Sequence, residues 1–150
     1  MRKFAILMPL VIGLSGCATE PYGNFVSSAS SPAGFNESLV ADTMKQLVAL
    51  YPPASTRFDL DQPTSDDPFG RALVESLRAH GYAITELKPT AAKNTNQSAA
   101  PLILHYVLDE PVSTNLYRIT VLVGPESITR AYLMKNNTIA PAGAWVRREQ

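Results

Sequence analysis

Apolar residues crowd the first fourteen positions, thin out over the next twenty, and then return with two different spacings. Val40, Met44, Leu47, Val48 and Tyr51 recur three and four residues apart and make one apolar stripe, which predicts a helix over Glu37–Tyr51. Asn36 is placed to cap it, with Phe35 and Val40 at the hydrophobic-staple positions, and Pro52-Pro53 ends it. The period then changes. In "STRFDLD", Phe58 and Leu60 alternate with Arg57, Asp59 and Asp61, the signature of a short half-buried strand.

The next stretch, "SDDPFGRALVESLRAHGY", carries the clearest punctuation in the chain. Asp67 suits the N-cap and Pro68 the first helical position, Phe69, Leu73 and Leu77 form the stripe, and Gly81 fits just beyond the end. A strand over Tyr82–Leu87 follows at once, so strand, helix and strand fill about thirty residues, the length of a βαβ unit or a split variant. Residues 88–101 are polar and aperiodic and read as an exposed loop. Beyond them the pattern is β: a nearly continuous apolar strand over Leu102–Leu108, an alternating one over Tyr117–Val123, and a return strand over Ser127–Met134 after the Gly124-Pro125-Glu126 turn. Asn136-Asn137 marks another turn, and Ala144–Arg147 adds a short last strand bearing Trp145. The expected fold is α+β, two amphipathic helices packed on a small, mostly antiparallel β-sheet.

The apolar start is of a different kind. Arg2 and Lys3 precede about eleven apolar residues, too few to cross a hydrocarbon core that needs about 20. This is the build of a secretory signal peptide. It ends in Leu14-Ser15-Gly16-Cys17, which resembles the lipobox of bacterial lipoproteins, and Cys17 is the one cysteine of the sequence. Small residues at 15 and 16 let an intramembrane peptidase reach the backbone. The thiol accepts diacylglycerol as a thioether, and the freed amine of Cys17 takes a further acyl chain such as palmitate. Two or more chains anchor stably where one does not. The expected organisation is a signal peptide over residues 1–16, a lipidated N-terminus with a flexible tether over 17–35, and a single periplasmic domain over 36–150. Eighteen tether residues span roughly 25 Å as a flexible coil. Ala18, where an aspartate favours the inner membrane in enterobacterial lipoproteins, leans toward the outer membrane.

Composition narrows the picture further. Removing Arg2 and Lys3 from 13 basic residues leaves 11 against 13 acidic ones, a net charge of −2 with histidine neutral. The longest basic run, Arg147-Arg148, is no nucleic-acid footprint. With its thiol acylated the mature chain has no disulfide, so folding rests on one ordinary core built from about 115 residues.

Candidate chemistry is sparse. His80 falls in the last turn of the second helix, where it complements the dipole, and His105 lies in an apolar strand on the face opposite Leu104 and Tyr106. Asp59, Asp61, Asp66 and Asp67 crowd together, but "DLDQPTSDDPFG" lacks the spacing of a calcium loop, and strand solvation plus helix capping account for all four. No nucleophile elbow, H-E-x-x-H, phosphate loop or G-x-G-x-x-G occurs. The expectation is a non-enzyme with no catalytic residues, cofactor, metal, nucleic acid or small-molecule substrate, acting by surface contact. Exposed sheet edges in the β-rich second half could take an added strand, and Arg118, Arg130 and Lys135 are read as edge protection.

The lipobox, "LVALYPPASTRF" and "PFGRALVESLRAHGYAI" together make the chain resemble the conjugal transfer protein TrbH family, over the leader and roughly residues 38–88. The resemblance implies lipidation at Cys17. It also implies a part in mating-pair formation for plasmid transfer, within a type IV secretion system whose small lipoproteins sit at the outer membrane beside core-complex subunits. Two other roles stay open: a pilotin-like assembly factor for an outer-membrane channel subunit, and a periplasmic ligand-binding or enzymatic lipoprotein built around His105.

Overall fold

The computed structural model describes residues 24–26, 34–61, 63–87, 100–112 and 115–149. In chain order these form β1 (Phe25–Val26), α1 (Phe35–Leu50), β2 (Arg57–Asp61), α2 (Pro68–Ala79), β3 (Ala83–Leu87), β4 (Leu102–Val112), β5 (Leu116–Val123), β6 (Glu126–Lys135), β7 (Thr138–Pro141) and β8 (Val146–Glu149). One sheet of eight strands runs β3-β2-β4-β5-β6-β7, with β1 on β4 and β8 on β6. β2 pairs with Leu102 and Ile103 and β1 with Val107 and Leu108, so β1 continues the track of β2. β7 and β8 likewise share one side of β6. The pairings β1–β4, β2–β3 and β2–β4 are parallel, and the four others are antiparallel. The fold is α+β, with two helices on a mostly antiparallel sheet.

α2 follows its local signals closely. The Asp67 carboxylate accepts from Gly70 N at 2.7 Å, and Pro68 occupies the first turn. At the other end Gly81, at φ 83°, donates to Arg78 O at 2.9 Å while Tyr82 N reaches Leu77 O at 3.1 Å. That pair of bonds is a Schellman cap. β2, α2 and β3 then form a parallel βαβ unit in register from Arg57↔Ala83 to Asp61↔Leu87.

α1 departs from expectation at its start. It begins at Phe35, and its N-cap is Gly34 at φ 77°, with no side-chain cap bond. Asn36 is therefore inside the helix, two residues too late to cap it. The cause is tertiary: Phe35 is buried and packs edge-on against Tyr117 at 4.8 Å, which draws it into the first turn. Gly34 supplies the left-handed conformation that this early start requires. The last strand also shifts, from Ala144–Arg147 to Val146–Glu149, leaving Trp145 before it.

α1 and α2 pack together on one face of the sheet. Phe58 and Leu60, Leu104, Tyr106 and Leu108, Ile119, Val121 and Val123, and Ile128 and Tyr132 point from four strands into that layer. Leu39, Val40, Met44, Leu47, Phe69, Leu73, Val74 and Leu77 meet them from the helices. Each such side chain contributes about 1.5–3 kcal/mol by leaving water. The opposite face, with Asp59, His105, Val107, Thr120 and Leu122, is only half-buried. Within the segment read as tether, Asn24 accepts from Tyr106 N and donates to Asp61 O, both at 3.2 Å, and stitches β1 to the end of β2.

Candidate functional site

The residues of expected chemistry are spread over the fold. Leu14, Ser15, Gly16 and Cys17 lie outside the described residues. His80 is the C-cap of α2, its Nδ1 2.7 Å from Ser76 O. His105 is on the open face of β4, 4.0 Å from Asp61, and its shielded Nδ1 has no hydrogen-bond partner among the described residues. Asp59 and Asp61 line β2, Asp66 is exposed, and Asp67 turns inward to cap α2. No group of three metal-ligating side chains converges among the described residues.

What the fold does bring together is a set of carboxylate–tyrosine bonds between helix layer and sheet. Tyr106, fully buried on β4, donates to Asp67 at the cap of α2. Tyr132 on β6 donates to Asp42 of α1 at 2.7 Å, and Arg130 Nη1 meets the same Oδ2 at 2.7 Å. Arg130 also donates to Gly143 O at 2.8 Å and lies over the rings of Tyr132 and Trp145, so it ties the β7–β8 connection to α1. Tyr51, at the end of α1, donates to Glu126, which Arg147 of β8 grips with Nε at 3.1 Å and with Nη2. Tyr82 closes this corner by donating to Tyr51 O at 2.7 Å.

These contacts move the acidities as expected for buried phenols facing carboxylates. Burial, reinforced by the bond to Asp67, pushes the Tyr106 hydroxyl far up, and burial with Asp42 does the same at Tyr132. Tyr51 is pushed up to about 12, by burial first and then by Glu126. The Arg147 guanidinium, then the Tyr51 hydroxyl, hold the Glu126 carboxyl below its ordinary value. Sequence reasoning missed Asp42, Glu126 and their partners. The one signal was that Tyr106 and Tyr132 stand on inward strand faces, where a hydroxyl must find an acceptor.

Two of the residues read as edge protection have other duties. Arg118 is on β5, inside the sheet, and pairs with Asp109 across to β4 with Nε at 3.0 Å. Arg130, on β6, is covered by its neighbours and committed to Asp42. Among the described residues the outer side of β3 pairs with no strand.

Depressions among the described residues include one of about 150 Å³ beside Phe35 and Ile139 and one of about 260 Å³ between α2 and β3. No helix among the described residues is long and apolar enough to cross a membrane. Fold and polar groups together define a small α+β domain whose buried polar side chains brace its two layers. The chain belongs to the conjugal transfer protein TrbH family, whose model matches residues 19–149. Membership implies a component of conjugal transfer. Neither a curated protein nor a solved structure matches the chain.

Proposed function

We propose that this protein is an outer-membrane lipoprotein and a structural or assembly component of a conjugative type IV secretion system, acting in mating-pair formation by contact rather than catalysis. The observation that carries the reading is the TrbH match over 19–149 directly behind a lipobox at Leu14–Cys17. Diacylglycerol on the Cys17 thiol and an acyl chain on its amine anchor the protein, with the domain facing the periplasm. Seven peptide steps separate Cys17 from Asn24, which the sheet already holds, so the domain stands at most about 25 Å from its anchor. That short reach suits a part that works against neighbouring envelope proteins.

The braced interior supports contact as the mode of action. Asp42 and Glu126 pair with arginines and Asp67 spends both oxygens on hydrogen bonds within the fold, which leaves backbone edges and the half-open sheet face to meet other proteins. The test is affinity recovery of the acylated protein from detergent-solubilised envelopes of mating cells. Stoichiometric co-recovery of secretion core-complex subunits is the expected result. Substoichiometric recovery would point to a pilotin-like escort, and recovery of the protein alone would sink the proposal.

A further inference from the structure

β4 meets two different strands along one side. β2 pairs with it at Leu102 and Ile103, and β1 at Val107 and Leu108. Between them Asn24 takes the place of a peptide group. Its Nδ2 donates to Asp61 O, where β2 ends, and its Oδ1 accepts from Tyr106 N, both at 3.2 Å. One side-chain amide, with donor and acceptor on the same plane, thus carries the hydrogen-bonded row across the gap.

β1 is held by little else. It is two residues long, and β4 is its one strand partner among the described residues. The path β3-β2-β4-β5-β6-β7 is continuous without it, so β1 can leave while every other pairing stays. Downstream, the start of α1 is fixed by Phe35 against Tyr117 of β5, a contact that does not involve β1. Ordering Asn24, Phe25 and Val26 opposes docking by about as much as a few hydrogen bonds favour it. The docked and free states are therefore close in free energy.

We propose that β1 is a releasable clasp that sets how far the domain stands from the membrane. The proposal rests on the lipid anchor at Cys17 argued above. With β1 docked, the seven peptide steps from Cys17 to Asn24 limit the reach to about 25 Å. With β1 free, the chain is next fixed at Gly34, the cap of α1. Seventeen peptide steps then separate anchor from domain, and the limit rises to about 60 Å. One domain thus works at two heights, beside the membrane when docked and deeper in the periplasm when released.

Release also takes away the acceptor of Tyr106 N, which makes that amide the reporter. In the full-length protein in detergent, its hydrogen exchange should run through a local opening, faster than the amides of β5 and insensitive to mild urea. Asn24→Ala removes both side-chain bonds and should speed it about ten-fold or more, with β5 unchanged. A disulfide joining Phe25→Cys to Val107→Cys, whose Cα atoms are partners in register, should slow it to the β5 rate. Neutron reflectometry on a supported bilayer reads the height. Asn24→Ala should move the domain outward, and the disulfide should hold it within about 25 Å. Wild-type Tyr106 exchanging as slowly as β5, or all amides quickening together in Asn24→Ala, would overturn the clasp. Equal heights for the Asn24→Ala and disulfide forms would overturn its part in reach. A protein that does not stay on the bilayer overturns the anchor reading, and the two heights with it, while the exchange rates still decide whether β1 is a clasp.

Discussion

Tyr106, in the middle of β4, donates its hydroxyl to Asp67, the residue that caps α2. One carboxylate thus serves two elements, accepting Gly70 N on one oxygen and the phenol on the other. Gly70 is required between them, since a Cβ there would come within 2.8 Å of Tyr106 Cζ.

Removing either partner leaves the other buried and unsatisfied. Tyr106→Phe should cost about 1–2 kcal/mol, and Asp67→Ala about 1–3 kcal/mol because the cap is lost as well. The double variant should cost less than the sum, with a coupling of roughly 0.5–3 kcal/mol. Gly70→Ala, which overpacks the same spot, should cost about 1–3 kcal/mol. Urea unfolding monitored by circular dichroism checks all four, and simple additivity of the first two would deny the bridge.

Arg130 joins α1, β6 and the β7–β8 connection through Asp42, Gly143 and Trp145. Its planar fork reaches the carboxylate and the carbonyl together, which a lysine cannot do. Arg130→Lys should therefore loosen the chain locally. Amide exchange should quicken over residues 138–149 and stay unchanged in β4 and β5. Uniform acceleration across the sheet would mean that the residue supports global stability instead.

The tyrosines set the alkaline limit. A folded-state pKa raised above the unfolded value gives stability that is complete below the unfolded pKa and lost as pH rises through the folded one. For Tyr51 that window opens near 10.0 and closes at about 12. Tyr106 and Tyr132 extend it upward. Thermal midpoints should therefore fall above pH 10, and Tyr51→Phe should flatten the first part of that fall. Glu126 acts at the acid end with the opposite sign. Its lowered pKa contributes stability present above the unfolded value and lost as pH drops through the folded one. Arg147→Ala should weaken that acid dependence.

How much of this was legible in the sequence depended on distance along the chain. α2 could be read almost residue for residue, because Asp67, Pro68 and Gly81 act within one turn of where they stand. α1 was misplaced at its start because Phe35 answers to Tyr117, far off in β5. The strand periods of β2 and β5 located the core faces, since alternation reports burial directly. The continuous apolar run of β4 hid that only alternate residues, Leu104, Tyr106 and Leu108, are buried in the core. The bridging bonds were out of reach: Asp67–Tyr106, Tyr51–Glu126 and Asp42–Tyr132 join residues 39, 75 and 90 positions apart. No period or short motif encodes such pairs. Asn24 was hidden in a stretch of Ser, Pro and Gly, where nothing local signals that it will bridge β2 and β4.

The central claim is that a lipid on Cys17 holds this braced domain at the membrane for conjugal transfer. Cys17→Ser tests it most directly, with fractionation and mating frequency scored in the same cells. Loss of acyl labelling, release of a folded domain from membranes washed at alkaline pH, and a fall in plasmid transfer of about ten-fold or more are predicted, since one or no remaining chain binds only reversibly. A mutant that still sediments with washed membranes and transfers its plasmid at the wild-type frequency would contradict the account.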